Sequence, residues 1–86
     1  KGDENLEKKI IVYTMSNCIF CINLKKWMET NQIQYEERNI INSLEHEQEF
    51  NDLNGVGVPL IVIKSNGKDT IVSGFNQRKL EALLIN

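Results

Sequence analysis

The chain has two cysteines, Cys18 and Cys21, in the stretch Ser16-Asn17-Cys18-Ile19-Phe20-Cys21. Two sulfurs at this spacing can close a small structural loop, supply half of a zinc site, sit as inert buried thiols, or form a dithiol that opens and closes. As a clip the pair is weak, because chain entropy gives so short a loop roughly 2 kcal/mol at most and the constraint spans about one turn. Zinc usually wants four ligands. The chain adds only His46 to the two sulfurs and has no second C-x-x-C, so carboxylates would have to complete the set. A redox dithiol needs something different, a setting that makes the two sulfurs unequal.

The flanking residues supply that setting. Ile10-Ile11-Val12-Tyr13 is a short continuous apolar run, as in a strand covered on both faces. It ends at the polar bend Thr14-Met15-Ser16-Asn17. From Cys18 to about Asn31 the apolar period becomes helical, with Phe20, Leu24, Trp27 and Met28 at i, i+4, i+7 and i+8, and Lys25, Lys26 and Glu29 on the solvated side. Trp27 and Met28 therefore read as packing residues. Cys18 falls at the helix N-terminus, where free N–H groups and the macrodipole favour a thiolate. Cys21 lies one turn in and shares a face with Leu24 and Met28. The spacing thus predicts an exposed attacking thiol and an inward resolving thiol.

Further along, Ile33 to Ile40 reads as a polar edge strand, and Asn42-Ser43-Leu44-Glu45 as a capping box with Asn42 as N-cap. The helix it opens runs to about Asn54, carries Phe50 and Leu53, and places His46 as a partly buried residue. Gly55-Val56-Gly57-Val58-Pro59 ends it. Leu60 to Ile63 is a second buried strand, Asn66-Gly67 marks a tight hairpin, and Asp69 to Ser73 returns. After the turn Gly74-Phe75-Asn76, with Asn76 as N-cap, Leu80, Leu83 and Leu84 mark a last helix. The order β-α-β-α-β-β-α predicts an α/β domain. Its first two strands are parallel through a right-handed crossover, and its hairpin is antiparallel. The result is a four-stranded mixed sheet with helices on both faces, over residues 8–86. Residues 1–7 are set aside as a disordered tail or a remnant of processing or trimming.

Composition bounds the rest. Eighty-six residues, 41% of them apolar, make one domain. A formal charge of -2, mixed along the chain, gives no electrostatic footprint for nucleic acid or an anionic membrane. No apolar run approaches the roughly 20 residues of a membrane span. A monomeric, cytoplasmic protein is the expectation.

Taken in order, Val12 to Cys21 (VYTMSNCIFC), Gly55 to Pro59 (GVGVP) and Ser73-Gly74-Phe75 resemble the glutaredoxins of the thioredoxin-fold superfamily, over about residues 9 to 86. The resemblance implies a thioredoxin-like fold and a cis bond between Val58 and Pro59 beside the cysteines. It also implies a groove for glutathione as co-substrate, with no tightly bound cofactor and no metal. In that groove Cys18 would form the mixed disulfide and the Val58 backbone would pair with the peptide. Gly74, Phe75 and Asn76 would lie near the γ-glutamyl carboxylate, and Phe20 would line the site. The implied cycle is reduction of protein disulfides or glutathionylated proteins, with Cys18 as nucleophile and Cys21 resolving.

Three features depart from the common family pattern. Ile19 and Phe20 replace Pro and Tyr between the cysteines, Met15 stands where a Lys is frequent, and Gly74-Phe75 replaces Gly-Gly followed by an acidic residue. The last feature resembles the glutaredoxin-like redoxins that serve ribonucleotide reductase and are recharged by thioredoxin reductase. Two further readings come from other classes: an iron-sulfur carrier, with Cys18 and glutathione holding a shared cluster, and a non-catalytic redox-sensing docking module.

Overall fold

A computed structural model describes residues 8–85. The expectation of a disordered tail at 1–7 lies outside the described residues.

The apolar run at the start of the chain becomes β1 (Lys9–Thr14), which is buried from Ile10 to Thr14. It can be buried so completely because it pairs on both sides: parallel to β2 (Glu36–Asn39) and antiparallel to β3 (Leu60–Ser65). β3 in turn pairs antiparallel with β4 (Lys68–Ser73), giving the sheet order β2-β1-β3-β4. The β3–β4 loop is Asn66-Gly67, with φ of 55° and 76°. Positive φ at both central residues is the type I′ geometry that Asn-Gly favours. Between the strands run α1 (Ile19–Thr30), α2 (Leu44–Asp52) and α3 (Gln77–Leu84).

Alternation along β1 sorts the core. Ile10 and Val12 join Leu24 and Met28 of α1, Leu80 of α3 and Ile61, Ile63 and Val72 on one face. Ile11 and Tyr13 join Phe50 of α2, Leu60 and Val62 on the other. Each fully buried Leu, Met or Val side chain contributes about 1.5–3 kcal/mol.

Helix ends depart from the sequence reading in two ways. The α2 N-cap is Ser43, not Asn42, because the Ser43 hydroxyl accepts the His46 N–H at 3.3 Å and the box with Glu45 is one residue out of register. The C-termini of α1 and α2 are both Schellman turns built without glycine at the left-handed position. Gln32 (φ 58°) allows Ile33 N–H to reach Met28 O at 2.8 Å, and Asn54 (φ 61°) allows Gly55 N–H to reach Phe50 O at 3.0 Å. β2 also starts later than expected, at Glu36 rather than Ile33. Ile33 is taken by the α1 C-terminal turn, and β1 offers β2 a register only from Ile11↔Glu36 to Thr14↔Asn39.

Candidate active site

The bend 15–18 lies at the C-terminal end of β1, beside the N-terminal end of β3, so the chain reversals of three strands meet around Cys18. The α1 N-cap is Cys18 itself: its backbone is extended and its Sγ accepts the Cys21 N–H at 3.1 Å. A helix N-terminus leaves N–H groups free, and here one of them is spent on sulfur. Such a bond is strengthened when the sulfur is an anion. The Cys18 thiol faces the Val58 carbonyl at 4.0 Å, and Cys18 is part-exposed.

Cys21 is 1% exposed, packed on the inward face of α1 with Leu24 and Met28. Burial, followed by its hydrogen bond to Cys18, pushes its thiol from an ordinary value near 9 up to about 12. Two sulfurs of identical chemistry are thereby separated, one at a solvent-facing helix end and the other held as a neutral thiol in the core. Both are free thiols here.

Helical geometry also corrects one expectation. Phe20 was placed on the core stripe with Leu24, yet it is 62% exposed. The buried stripe is centred on Cys21, Leu24 and Met28. At about 100° per residue, Phe20 and Trp27 fall together on its flank. Trp27 is covered by Phe75, with ring centroids 6.1 Å apart, whereas Phe20 in the first turn stays open beside the thiol.

The Val58–Pro59 peptide bond is cis. Pro59 is buried, and its carbonyl accepts the Gly74 N–H at 2.8 Å, which fastens the proline loop to the β4–α3 turn. Gly74 has φ 79°, a conformation open to glycine at little cost. Asn76 caps α3, its Oδ1 accepting the Lys79 N–H at 3.1 Å. Phe75 packs against Trp27 and the core edge, as a turn aromatic that covers the core. Val58, Pro59 and Gly74 are therefore joined to one another, and Cys18 is joined to them through the Val58 carbonyl.

Sequence reasoning missed the polar support beneath this site. Successive residues of β2 point to opposite faces of the sheet. Glu37, paired with Val12, turns towards α1, where its Oε2 accepts the Thr14 hydroxyl at 2.8 Å and the Lys25 ammonium at 2.9 Å. Thr14 is fully buried and Lys25 is one turn beyond Cys21, so this cluster lies one helical turn from the buried thiol. The Lys25 charge draws the Cys21 thiol downward, against the larger effect of burial. Arg38, paired with Tyr13, turns towards α2, donating to Glu49 at 2.8 Å and to the Tyr13 hydroxyl at 3.2 Å. A polar edge strand thus fastens a helix on each face.

Among the described residues no group of three or more His, Cys, Asp and Glu is placed to hold a metal ion. His46 is half-buried on α2, and its Nδ1 has no hydrogen-bond partner among the described residues. A shallow cavity of about 520 Å³, lined by Lys8, Ile10, Gln32 and Leu84 among others, opens at the end of the sheet away from the thiols. No helix among the described residues is long and apolar enough to cross a membrane.

Comparison with known proteins agrees with this geometry. Residues 10–68 match the family model described as glutaredoxin. Over 62 residues the chain is 32% identical to glutaredoxin 1 of Rickettsia conorii, covering 72% of this chain and 51% of that protein. Over 34 residues it is 41% identical to the global transcriptional regulator Spx 2 of Bacillus anthracis, covering 40% of this chain and 26% of that one. The chain thus spans about half and about a quarter of the length of these two relatives. In structure it is similar to the thioredoxin-like protein BC3987, with a TM-score of 0.77 and 30% identity, covering 88% of this chain and 100% of that one. It shares its fold with the NrdH-redoxin from Escherichia coli, at a TM-score of 0.74 and 23% identity, over 87% of this chain and 93% of that one. With the thioredoxin-like fold, the paired cysteines at the head of α1 and a family match over residues 10–68, the chain belongs to the glutaredoxin family.

Proposed function

We propose that this protein is a dithiol thiol-disulfide oxidoreductase acting on protein disulfides or glutathione mixed disulfides. The observation that carries the reading is the inequality of the two sulfurs: Cys18 caps the open end of α1, and Cys21 lies 1% exposed beneath it. In the first step the Cys18 thiolate attacks a substrate disulfide. A Cys18–substrate bond forms, the substrate S–S bond breaks, and the departing sulfur takes up a proton. In the second step Cys21 gives up its proton and attacks the Cys18 sulfur, the second substrate sulfur leaves as a thiol, and the Cys18–Cys21 disulfide remains. Two electrons have passed to the substrate. Val58, Pro59, Gly74, Phe75, Asn76 and Phe20 are the proposed groove residues, with glutathione as co-substrate and no tightly bound cofactor.

A second reading concerns the electron donor. The turn Gly74-Phe75 carries an aromatic ring, and Met15 supplies no cation for a glutathione carboxylate, which supports recharging by thioredoxin reductase. The structurally similar NrdH-redoxin is a glutaredoxin-like protein with a thioredoxin-like activity profile. The test is to oxidise the protein and follow NADPH consumption with either glutathione and glutathione reductase or thioredoxin reductase alone. Efficient recharging by glutathione removes the second reading. Recharging by neither system, together with full activity of Cys18→Ser on 2-hydroxyethyl disulfide, removes the proposed cycle.

A further inference from the structure

Charge is distributed unevenly over this molecule. Ten Lys and Arg and twelve Asp and Glu are spread along the chain, yet none falls in 15–20, 39–44, 54–59 or 73–77. These four segments share one end of the sheet. β1 and β2 finish there together, with Thr14 opposite Asn39 and the Ile40 N–H bonded to the Thr14 carbonyl at 2.9 Å. β3 starts and β4 finishes there, with Leu60 opposite Ser73. The Asn39 amide also reaches the Ser16 hydroxyl at 3.4 Å, tying the β2–α2 connection to the cysteine bend. The end that carries the reactive sulfur is thus built from uncharged segments, the nearest charges in sequence being Arg38, Glu45 and Arg78.

The same end exposes large apolar side chains. Met15, Ile19 and Phe20 surround Cys18, and Val56, two residues before Val58, is 95% exposed. Ile41 and Leu44, at 58% and 78% exposed, continue the surface onto the β2–α2 connection. These last two have no part in binding sulfur and no core to complete, since the adjacent Ile40 fills the core position. Exposed apolar groups gathered in an uncharged region mark an interaction surface. Because Cys18 belongs to one of these segments and is part-exposed, a partner covering this end meets its sulfur, so the occupant carries a disulfide.

We propose that the charge-free end, extended by Ile41 and Leu44, docks a protein partner that presents its disulfide within an uncharged, apolar surface. This rests on the dithiol reading above and adds a docking surface outside the reacting groups. Such docking gains from apolar burial and is insensitive to salt, unlike recognition of a charged substrate.

Insulin, a protein whose disulfides sit among apolar residues, serves as the macromolecular probe, and 2-hydroxyethyl disulfide as the small one. The variants are Ile41→Ser with Leu44→Gln, and Leu44→Glu alone. The first pair should raise KM for insulin about tenfold, the scale of two truncated apolar contacts, with turnover of the small disulfide within twofold of the native protein. Leu44→Glu places an acid in the first turn of α2, which favours the helix, so stability should hold or rise while insulin KM still rises. An unchanged insulin KM in both variants overturns the proposal. So does a native dimer in sedimentation that Leu44→Glu dissociates, which would assign this face to a second copy of the chain. Failure of the underlying dithiol reading looks different: the native protein would turn over neither probe.

Discussion

Replacing Lys25 should slow the second half of the proposed cycle more than the first. In that proposed cycle Cys21 loses its proton to release the substrate, and burial, with the Cys18 hydrogen bond next, holds that thiol up at about 12. Once Cys18 is tied up in a mixed disulfide, its own opposition to a Cys21 anion disappears, and the Lys25 ammonium is the charge left acting on it. Lys25 stands four residues along α1, with β-carbons about 6 Å apart at that spacing. A unit charge at about 6–7 Å gives roughly 2.5 kcal/mol at an effective dielectric of about 20. Glu37, bonded to the same ammonium at 2.9 Å, cancels a good part of it. About 1 kcal/mol remains, or about a fivefold change in the rate of resolution. The assay loads Cys18 with a chromogenic thiol and follows its release in a single turnover across pH. Lys25→Gln should release about fivefold more slowly at neutral pH, with its profile displaced to higher pH, and Lys25→Arg should recover most of the rate. Identical profiles for the native protein and Lys25→Gln would refute the electrostatic argument.

Two further outcomes follow from the core. Cys21 and Tyr35 both hold their protons up to about 12: burial acts first in each, then the Cys18 hydrogen bond for Cys21 and the Glu29 hydrogen bond for Tyr35. Above the unfolded values of about 9 and 10 the unfolded chain binds fewer protons than the folded one. Stability should therefore be intact below pH 9 and fall as pH rises towards 12, with a slope of up to about 1.4 kcal/mol per pH unit per group. Urea titrations at several alkaline pH values read this directly. The disulfide form, lacking the Cys21 proton, should show the shallower fall, and an equal fall in both forms would count against the buried thiol. Gly55→Ala tests the packing under the proline loop. Its added carbon would stand 2.5 Å from two ring atoms of Phe50, which is 6% exposed and tilted against Tyr13 at 6.2 Å. Overpacking of this kind costs about 1–3 kcal/mol, and each kcal/mol lowers Tm by about 4–8 °C in a domain of this size. A thermal melt with Tm unchanged would show that the ring moves freely.

The sequence carried the order of elements because each has a local signature: unbroken apolar runs for β1 and β3, a helical period in α1, and Asn66-Gly67 for the hairpin. It also carried the inequality of Cys18 and Cys21, since three residues of helix turn one side chain inward while the other stays at the cap. What it hid was tertiary. Glu37 and Arg38 read as the charges of an exposed edge strand, although one reaches Thr14 and Lys25 and the other Tyr13 and Glu49. No local period reports partners on separate helices. Phe20 was misplaced because it sits within a helical period of Leu24, and the exact centre of a buried stripe is set by the sheet beneath it. The α2 cap slipped by one residue because Asn42 and Ser43 are both good caps, and backbone direction chose between them.

The most direct measurement is trapping of the first intermediate. Cys21→Ser, incubated with an oxidised protein substrate, should accumulate a one-to-one mixed disulfide that peptide mass mapping assigns to Cys18, while Cys18→Ser accumulates none. An adduct on Cys21 in the Cys18→Ser variant, formed at the same rate, would contradict the division into an open attacker and a buried resolver.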